Sequence, residues 1–353
     1  MILQRYIFRE LLASFLFAFL AVLMVCMIGT MFQVFRTFPG VGFQILATAL
    51  PLATGAMASW VILVASATSS TLVSARLAAE NEITARRACG IHTGRILAPA
   101  LLLGLLLVGA AYPLNEFVVP WTRQHRRTAF RQSTVEALKA PPPGNQDFSV
   151  GYFRLRYTDF RDGQMVNPTI TKLKNLTVVM DYYAPSGRIL TGDDGFKIVM
   201  LKPRYWRITE NGRKEIFSAE NEVSVDIPFE DYESGGPQMV DQPAEKLWDI
   251  YFKSKEKAPR NQALLVLHTR YASSLAPLLL VLVAVPIGIL VKKGSRLAGL
   301  GASLPPLMIY LVTYFVFQGL GDKGKIPPLV GAYTPDLFLT VLAFVLLGGV
   351  ARR

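Results

Sequence analysis

The sequence predicts an α-helical membrane protein with six transmembrane helices and an all-β domain inserted between the third and the fourth. Three observations predict this. Six apolar runs reach bilayer-spanning length, lysine and arginine collect on one side of those runs, and a long middle segment switches to period-two patterning. The 353 residues are 52% hydrophobic and only 18% charged, which excludes disorder and leaves room for two or three folding units. Two cysteines cannot staple a disulfide-rich fold, and the 27 glycines and 22 prolines follow no collagen-like period.

The first run, Leu11 to Phe35, is about twice the length of a signal-peptide core, and no small-residue cleavage site with a polar start follows it, so it reads as a retained helix. The second, Val41 to Ser74, exceeds a single span and contains Pro51, so part of it reads as an interfacial or kinked approach. The third, Ile96 to Val119, is interrupted only by Glu116. Tyr271 to Val291, Leu297 to Gly321 and Ile326 to Val350 complete the set, the last with Asp336 inside it. The domain boundaries are therefore placed at 1–119, 120–270 and 271–353.

Charge placement sets the orientation. Eleven cations fall on one side: Arg5, Arg9, Arg76, Arg86, Arg87, Arg95, Lys292, Lys293, Arg296, Arg352 and Arg353. The short loops of the other side hold only Arg36, Lys323 and Lys325. By the positive-inside rule both termini are cytoplasmic, and the segment from Pro120 to Arg270 faces the opposite compartment. That segment has 23 Lys and Arg against 19 Asp and Glu, so it carries only +4 of the net +12. The basic balance is mainly a topology signal, and nucleic acid is not needed to explain it.

Within the inserted segment, Phe153, Leu155 and Tyr157 alternate with Arg154 and Arg156, the mark of a half-buried strand. Further strands are expected at Thr169 to Tyr183, Gly195 to Leu201, Arg204 to Thr209 and Glu215 to Ile227. Turns are expected at Ala184-Pro185-Ser186-Gly187, Gly192-Asp193-Asp194-Gly195 and Glu210-Asn211-Gly212-Arg213. Such short strands argue a sandwich or open barrel. Helical flanks are expected at Trp121 to Lys139 and Ala244 to Lys255.

No phosphate-binding loop occurs; Gly321-Asp322-Lys323-Gly324-Lys325 is too short and lacks the hydroxyl residue. His92, His125 and His268 have no ligand-spaced partners, so no metal site is expected, and Cys26 and Cys89 fall outside the inserted domain. Ser66, Ser69, Ser70 and Ser74 in the second run read as small residues for close helix packing. The short loop Arg76 to Arg95 is more informative. Glu80 and Glu82 lead a helical stretch from Ile83 that carries Arg86 and Arg87, Glu82 and Arg86 form an i,i+4 pair in the favourable order, and Gly90 fits the stop. A solvated loop helix and a helix that docks a cytoplasmic partner both satisfy this pattern.

Glu80-Asn81-Glu82-Ile83-Thr84 followed by Ala88-Cys89-Gly90 resembles the E-x-E-I-x…A-x-G signature of the LptF/LptG (YjgP/YjgQ) permease family. Arg5-Tyr6 with Arg9-Glu10, Pro120-Trp121 and Gly324-Lys325-Ile326-Pro327-Pro328 are similar to that family at matching places, and the resemblance covers essentially the whole chain. Of the family's two members, the Glu80 to Gly90 string and Lys323-Gly324-Lys325 lean toward LptF, whereas Ile326 to Ala332 resembles LptG; the balance tips slightly to LptF.

The resemblance implies a bacterial inner-membrane permease subunit with a periplasmic, jellyroll-like β-domain. Its implied partners are a dimer of the ATPase LptB, a sister permease or a second copy of this chain, and the LptC/LptA bridge. Its implied cargo is lipopolysaccharide. ATP and magnesium would reside on the ATPase, and this chain would hold no cofactor and catalyse nothing. The family's coupling helix corresponds to a segment near 78–90, with Glu80, Glu82, Ile83, Arg86, Arg87 and Gly90, and Glu82 is the expected anchor on the ATPase. A lipid-modifying membrane protein or a transport-inactive scaffold is the alternative; Glu116 and Asp336, the acids near the spans, look isolated in the sequence.

A lipid with phosphates above acyl chains asks for cations at the extracytoplasmic rim over an apolar wall. Arg36, Lys323 and Lys325 lie at that level, where they serve either a phosphate or ordinary snorkelling. Arg123, Arg126, Arg127 and Arg131 read as a solvated or headgroup-facing helix face. Tyr310, Tyr314 and Gln318 recur at i, i+4 and i+8, lining a wet cavity or packing on a neighbour. Phe153, Leu155, Val178, Met180, Phe196, Ile198, Met200 and Trp206 are expected to face inward in the β-domain, mostly as core.

Overall fold

Six helices are long and apolar enough to cross a membrane in the computed structural model, which describes residues 2–37, 43–90, 93–125, 146–150, 153–161, 163–174, 177–191, 195–208, 214–219, 221–228, 239–291 and 296–352. The spans are Gln4–Phe32 in α1 (Ile2–Thr37), Leu50–Ala79 in α2 (Phe43–Ala79) and Leu97–His125, which begins in α4 (Thr93–Pro113). Lys257–Leu290 is α6, Gly299–Asp322 lies in α7 (Arg296–Asp322), and Pro328–Val350 lies in α8 (Pro328–Arg352). The short α3 (Glu82–Ala88) links α2 to α4, and α5 (Ala244–Lys253) precedes α6.

Two spans run further than their apolar residues suggest. α6 begins at Lys257, ahead of the expected Tyr271, because the polar stretch before Tyr271 is amphipathic: Ala263, Leu265, Val266 and Leu267 are buried while Asn261 is exposed. Pro51 sits inside α2 without ending it. The third span passes through a π-turn, Leu114–Val118, between Pro113 and Pro120, where the Val119 N–H donates to the Leu114 carbonyl. A π-turn inserts a residue into the helix, and here it carries Asn115 and Glu116 into the interior.

Close packing around α6 depends on small residues. A methyl on Gly288 would lie 2.6 Å from the Thr71 carbonyl oxygen of α2. The hydroxyls of Ser66, Thr71 and Ser74 donate to Leu63, Ala67 and Ser70 carbonyls at 2.8, 2.8 and 2.6 Å, so α2 presents small, internally satisfied side chains there.

The inserted part is all-β. A six-stranded antiparallel sheet has the order β1-β2-β5-β6-β9-β10 and a five-stranded one the order β11-β8-β7-β4-β3. The strands are β1 Gln146–Val150, β2 Phe153–Tyr157, β3 Asp159–Arg161, β4 Gln164–Val166, β5 Thr169–Lys174, β6 Thr177–Tyr183, β7 Ser186–Thr191, β8 Gly195–Leu201, β9 Arg204–Ile208, β10 Lys214–Ser218 and β11 Val223–Pro228. Phe153, Leu155, Tyr157 and Ile170 from the first sheet meet Met165, Ile198, Met200 and Val225 from the second in one core, giving a two-sheet, jellyroll-like fold. On β2 burial alternates strictly, with both arginines outward. There Asp147 accepts from Arg154 at 2.6 and 2.8 Å and from Arg156 at 3.2 Å; the Arg154 bonds in particular hold the Asp147 carboxyl below its ordinary range. Burial pushes the Tyr157 phenol up to about 12.

Two expected strands are each two strands. Thr169 to Tyr183 divides into the hairpin β5–β6, because a 15-residue strand exceeds what a small sheet uses, and Asn175-Leu176, between the paired Lys174 and Thr177, lacks the Gly that announces a two-residue turn. Glu215 to Ile227 divides where the chain leaves one sheet at β10 and enters the other at β11. Ala184-Pro185 likewise carries the chain between sheets, from β6 to β7. Of the turn expected at 192–195 only Gly195 is described, as the start of β8; the turn expected at 210–213, and the helix expected at 121–139 beyond His125, lie outside the described residues. The chain as a whole forms two compact units, Met1–Ile28, Ala53–Gln124 and Met239–Arg353 in one, Gly29–Leu52 and His125–Gln238 in the other.

Candidate functional site

The helix α3 is seven residues long and would not persist alone; its neighbours hold it. Asn81 enters it in the left-handed conformation at φ 57°, and Gly90 leaves at φ +76°, where only glycine is comfortable. Glu82 and Arg86 form the i,i+4 ion pair at 2.5 Å. Ile83 is buried among Ile7, Leu11, Leu77, Ala78 and Val350, Arg86 is 8% exposed, and the Arg87 guanidinium donates to the Val350 carbonyl at 3.1 Å. One face of α3 is thus fastened to α1, α2 and α8. The other, with Glu80, Thr84, Ala85 and Ala88, is exposed. Glu82 is half-buried, and one of its carboxylate oxygens is committed to Arg86.

At the opposite end of the bundle the expected row on α7 divides. Tyr310, 1% exposed, belongs to the helix-packing core with Leu63, Ala276 and Leu339. Tyr314 and Gln318 instead line a cavity of about 70 Å³ together with Trp60, Asn115, Arg123 and Arg270. The Trp60 ring meets Tyr314 edge-on at 5.1 Å and stacks on Phe315 at 5.7 Å, fixing that wall. Lys323 and Lys325 are exposed on either side of Gly324, whose φ of +67° turns α7 into α8; neither lines the cavity. Arg36 lies near the end of α1, and its side chain is outside the described residues, as are Arg126, Arg127 and Arg131.

Residues 5–348 match the profile of the family described as lipopolysaccharide export system permease LptF/LptG. The chain belongs to the LptF/LptG family. Curated relatives include the lipopolysaccharide export system permease protein LptF of Escherichia coli K12 and that of Shigella flexneri, each 22% identical over an alignment 298 residues long that covers 77% of this chain and 73% of theirs.

In this LptF/LptG permease Asn115 and Arg270, which the sequence did not single out, line the cavity, and acids that looked isolated in the sequence lie buried in the same helical unit. Glu116, isolated in the sequence, is 8% exposed and lies near enough to Arg270 to act on it electrostatically. Arg270 is 7% exposed; it donates to the carbonyls of Val240 at 3.0 Å and Gln242 at 2.5 Å, while its other terminal nitrogen has no partner among the described residues. Asn115 accepts from Ser59 at 2.5 Å and donates to Ser274 at 2.9 Å, joining α2, the π-turn and α6. Arg123 pairs with Asp241 at 3.5 Å. Asp336, the other isolated acid, is buried beside Tyr310 with neither carboxylate oxygen hydrogen-bonded among the described residues. The available signal was the charge itself: Glu116 and Arg270 each sit at the margin of an apolar run, where an ionisable residue marks function or a buried partner.

Proposed function

We propose that this LptF/LptG permease is a half-transporter of an ATP-binding-cassette complex that takes lipopolysaccharide from the outer leaflet of the inner membrane. It pairs with a sister permease or a second copy of itself, and a dimeric LptB-type ATPase holds the ATP and magnesium. Both termini face the cytoplasm and the β-domain the periplasm, as the lysine and arginine distribution supports.

The observation that carries the reading is the seat of α3. A coupling element must be rigidly joined to the transmembrane helices and yet offer a free polar face. Buried Ile83 and Arg86 supply the first, and exposed Glu80 and Thr84 the second. Glu80, with the second oxygen of Glu82, then anchors the ATPase, while Arg86, Arg87 and Gly90 hold the helix in place.

The substrate half has its own support. Arg123, Arg270, Tyr314 and Gln318 place cations and hydrogen-bonding groups in one cavity, as a phosphorylated headgroup requires. In the β-domain the cross-strand row Leu155–Ile170–Tyr182–Tyr205–Phe217 runs across five strands of one sheet. Its first two members are fully buried, but Tyr205 and Phe217 are only half-buried, with rings 5.2 Å apart. An apolar row left partly open suits a sliding acyl chain on its way to an LptC/LptA-type bridge. Phe153, Leu155, Ile198 and Met200 are core, Met180 and Trp206 are half-buried, and the side chains of Val178 and Phe196 lie outside the described residues.

The test is co-expression with the ATPase. Glu82→Lys is expected to abolish ATPase copurification or ATP-driven lipid release, and retention of both would overturn the coupling assignment. Because Glu82→Lys also breaks the pair with Arg86, the exchange Glu82→Arg with Arg86→Glu is the control. It restores an intrahelical pair and is expected still to fail in coupling.

A further inference from the structure

Where the chain leaves the third span and where it returns ahead of α5, it is held by a single clamp. The returning chain makes one 3₁₀ turn, Met239–Asp241, and three successive carbonyls there are gripped by side chains of the spans. Arg270 of α6 donates to those of Val240 and Gln242 at 3.0 and 2.5 Å, and the Gln124 side-chain amide donates to that of Asp241 at 2.8 Å. Such donors suit the bare carbonyls at the end of a helical turn. Asp241 is 6% exposed and adds its carboxylate, which accepts from Arg123 at 3.5 Å. Arg123 and Gln124 lie in the last turn of the span Leu97–His125, so the clamp joins the two ends of the inserted segment.

The same residues border the cavity at Tyr314. Arg123, Val240 and Arg270 line it, and its volume of about 70 Å³ is little more than about two water molecules' share of the liquid, room for one phosphate group and not for the sugar that carries it. The Thr269 hydroxyl and one terminal nitrogen of Arg270, both on lining residues, are buried without a partner among the described residues, so donors are available to an anion. Spare charge is not available. Arg270 is acted on by Arg123, Glu116 and Asp241, two cations against two acids, and Asp322, which acts on Tyr314, adds no cation. An anion that enters a buried site already neutral meets its full desolvation cost. One of the two acids must therefore give up its arginine. Glu116 is carried into the interior by the π-turn and is 8% exposed. The Arg123 side chain is 26% exposed and its bond to Asp241 is long for a hydrogen bond, so this is the pair that yields at least cost.

We propose that Asp241 is an internal stand-in for a phosphate of the cargo: its carboxylate occupies Arg123 until the lipid's phosphate displaces it and slackens the returning chain. This rests on the headgroup reading of the cavity given above. Exchanging a carboxylate for a phosphate keeps Arg123 neutralised throughout. The carbonyl grips of Arg270 and Gln124 remain when the carboxylate leaves, so the connection loosens without being lost. Arrival of a headgroup is thereby reported to the point where the chain enters and leaves the inserted segment.

The experiment measures the binding of lipopolysaccharide, and of the same lipid with its phosphates removed, to the full-length chain purified with its partner permease and ATPase. Arg123→Ala is expected to weaken binding of the phosphorylated lipid about tenfold. Asp241→Asn keeps the carbonyl held by Gln124 and removes only the charge. It is expected to tighten the phosphorylated lipid about fivefold, the scale of a partly exposed ion pair that no longer has to be broken, and to leave the dephosphorylated lipid unchanged. Binding that Asp241→Asn leaves unchanged or weakens overturns the proposal, as does an equal gain for both lipids. If Arg123→Ala still weakens binding in that case, the headgroup reading stands and only the exchange falls; if Arg123→Ala has no effect, both fall. Should Asp241→Asn fail to fold, amide hydrogen exchange over 239–242 in the wild type decides. It is expected to quicken with the phosphorylated lipid and not with the dephosphorylated one, and the same rate with both overturns the proposal.

Discussion

Among the described residues two arginines are buried, Arg86 and Arg270, and the helical unit accommodates them by different means. Arg86 finds its counter-charge one turn away on the same short helix, in Glu82. Arg270 reaches out of α6 to two backbone carbonyls about 30 residues earlier, near Glu116 of a π-turn on another span. The first arrangement is local and can form as soon as α3 does. The second exists only when α4, α6 and the segment at Val240 are already packed. Each keeps one terminal nitrogen without a partner among the described residues, but an arginine paired within its own helix ties no other element, whereas one bonded to several elements locks them together.

That contrast is open to direct attack. The largest effect is expected at Arg270→Ala, which strips the Val240 and Gln242 carbonyls of their donor and leaves buried Glu116 without its neighbouring cation. A loss of about 3 kcal/mol is expected, read as a lowered melting temperature of the purified chain. An unchanged melt would mean that the cluster is not a lock. Asn115→Leu comes next: it removes the bonds to Ser59 and Ser274 in a buried site, for about 2 kcal/mol in the same assay.

Arg86→Ala is expected to cost only about 1 kcal/mol in global stability, because its partner Glu82 is solvent-accessible. Its effect should appear instead in ATPase copurification. A fall in melting temperature as large as that of Arg270→Ala would erase the distinction between the two arginines.

The smallest effect belongs to the β-domain. The Asp147 carboxyl is held below its ordinary value of 3.8 by Arg154 and Arg156, so its contribution is present above that value and fades as pH falls through the lower folded value. Asp147→Asn should cost under about 1 kcal/mol at neutral pH, given the exposure of the pair, and should flatten the acid limb of β-domain stability. Amide exchange across Phe153–Tyr157 at neutral and acid pH measures both.

What could be read in the sequence follows the same division. The six spans were legible because a bilayer imposes a run length, and α3 because its pair and its glycine stop are neighbours in the chain. Strand β2 announced itself through strict alternation. The β5–β6 turn did not, because Asn175 is followed there by Leu176 and not by Gly. Neither did the Arg270 cluster: Asn115 turns inward only because a π-turn adds a residue between Pro113 and Pro120, and no local pattern specifies that. Tyr310 and Tyr314 share a helical face by spacing, yet packing sends one to the core and the other to a cavity.

The central claim, that α3 is a rigidly seated docking element for an ATPase, is tested most directly by copurification of an LptB-type ATPase with three forms of the chain. These are wild type, Glu82→Lys, and Glu82→Arg combined with Arg86→Glu. The account predicts that wild type retains the ATPase while both variants fold and lose it. If the paired exchange holds the ATPase as wild type does, Glu82 serves only the helix, and the docking role assigned to its carboxylate is contradicted.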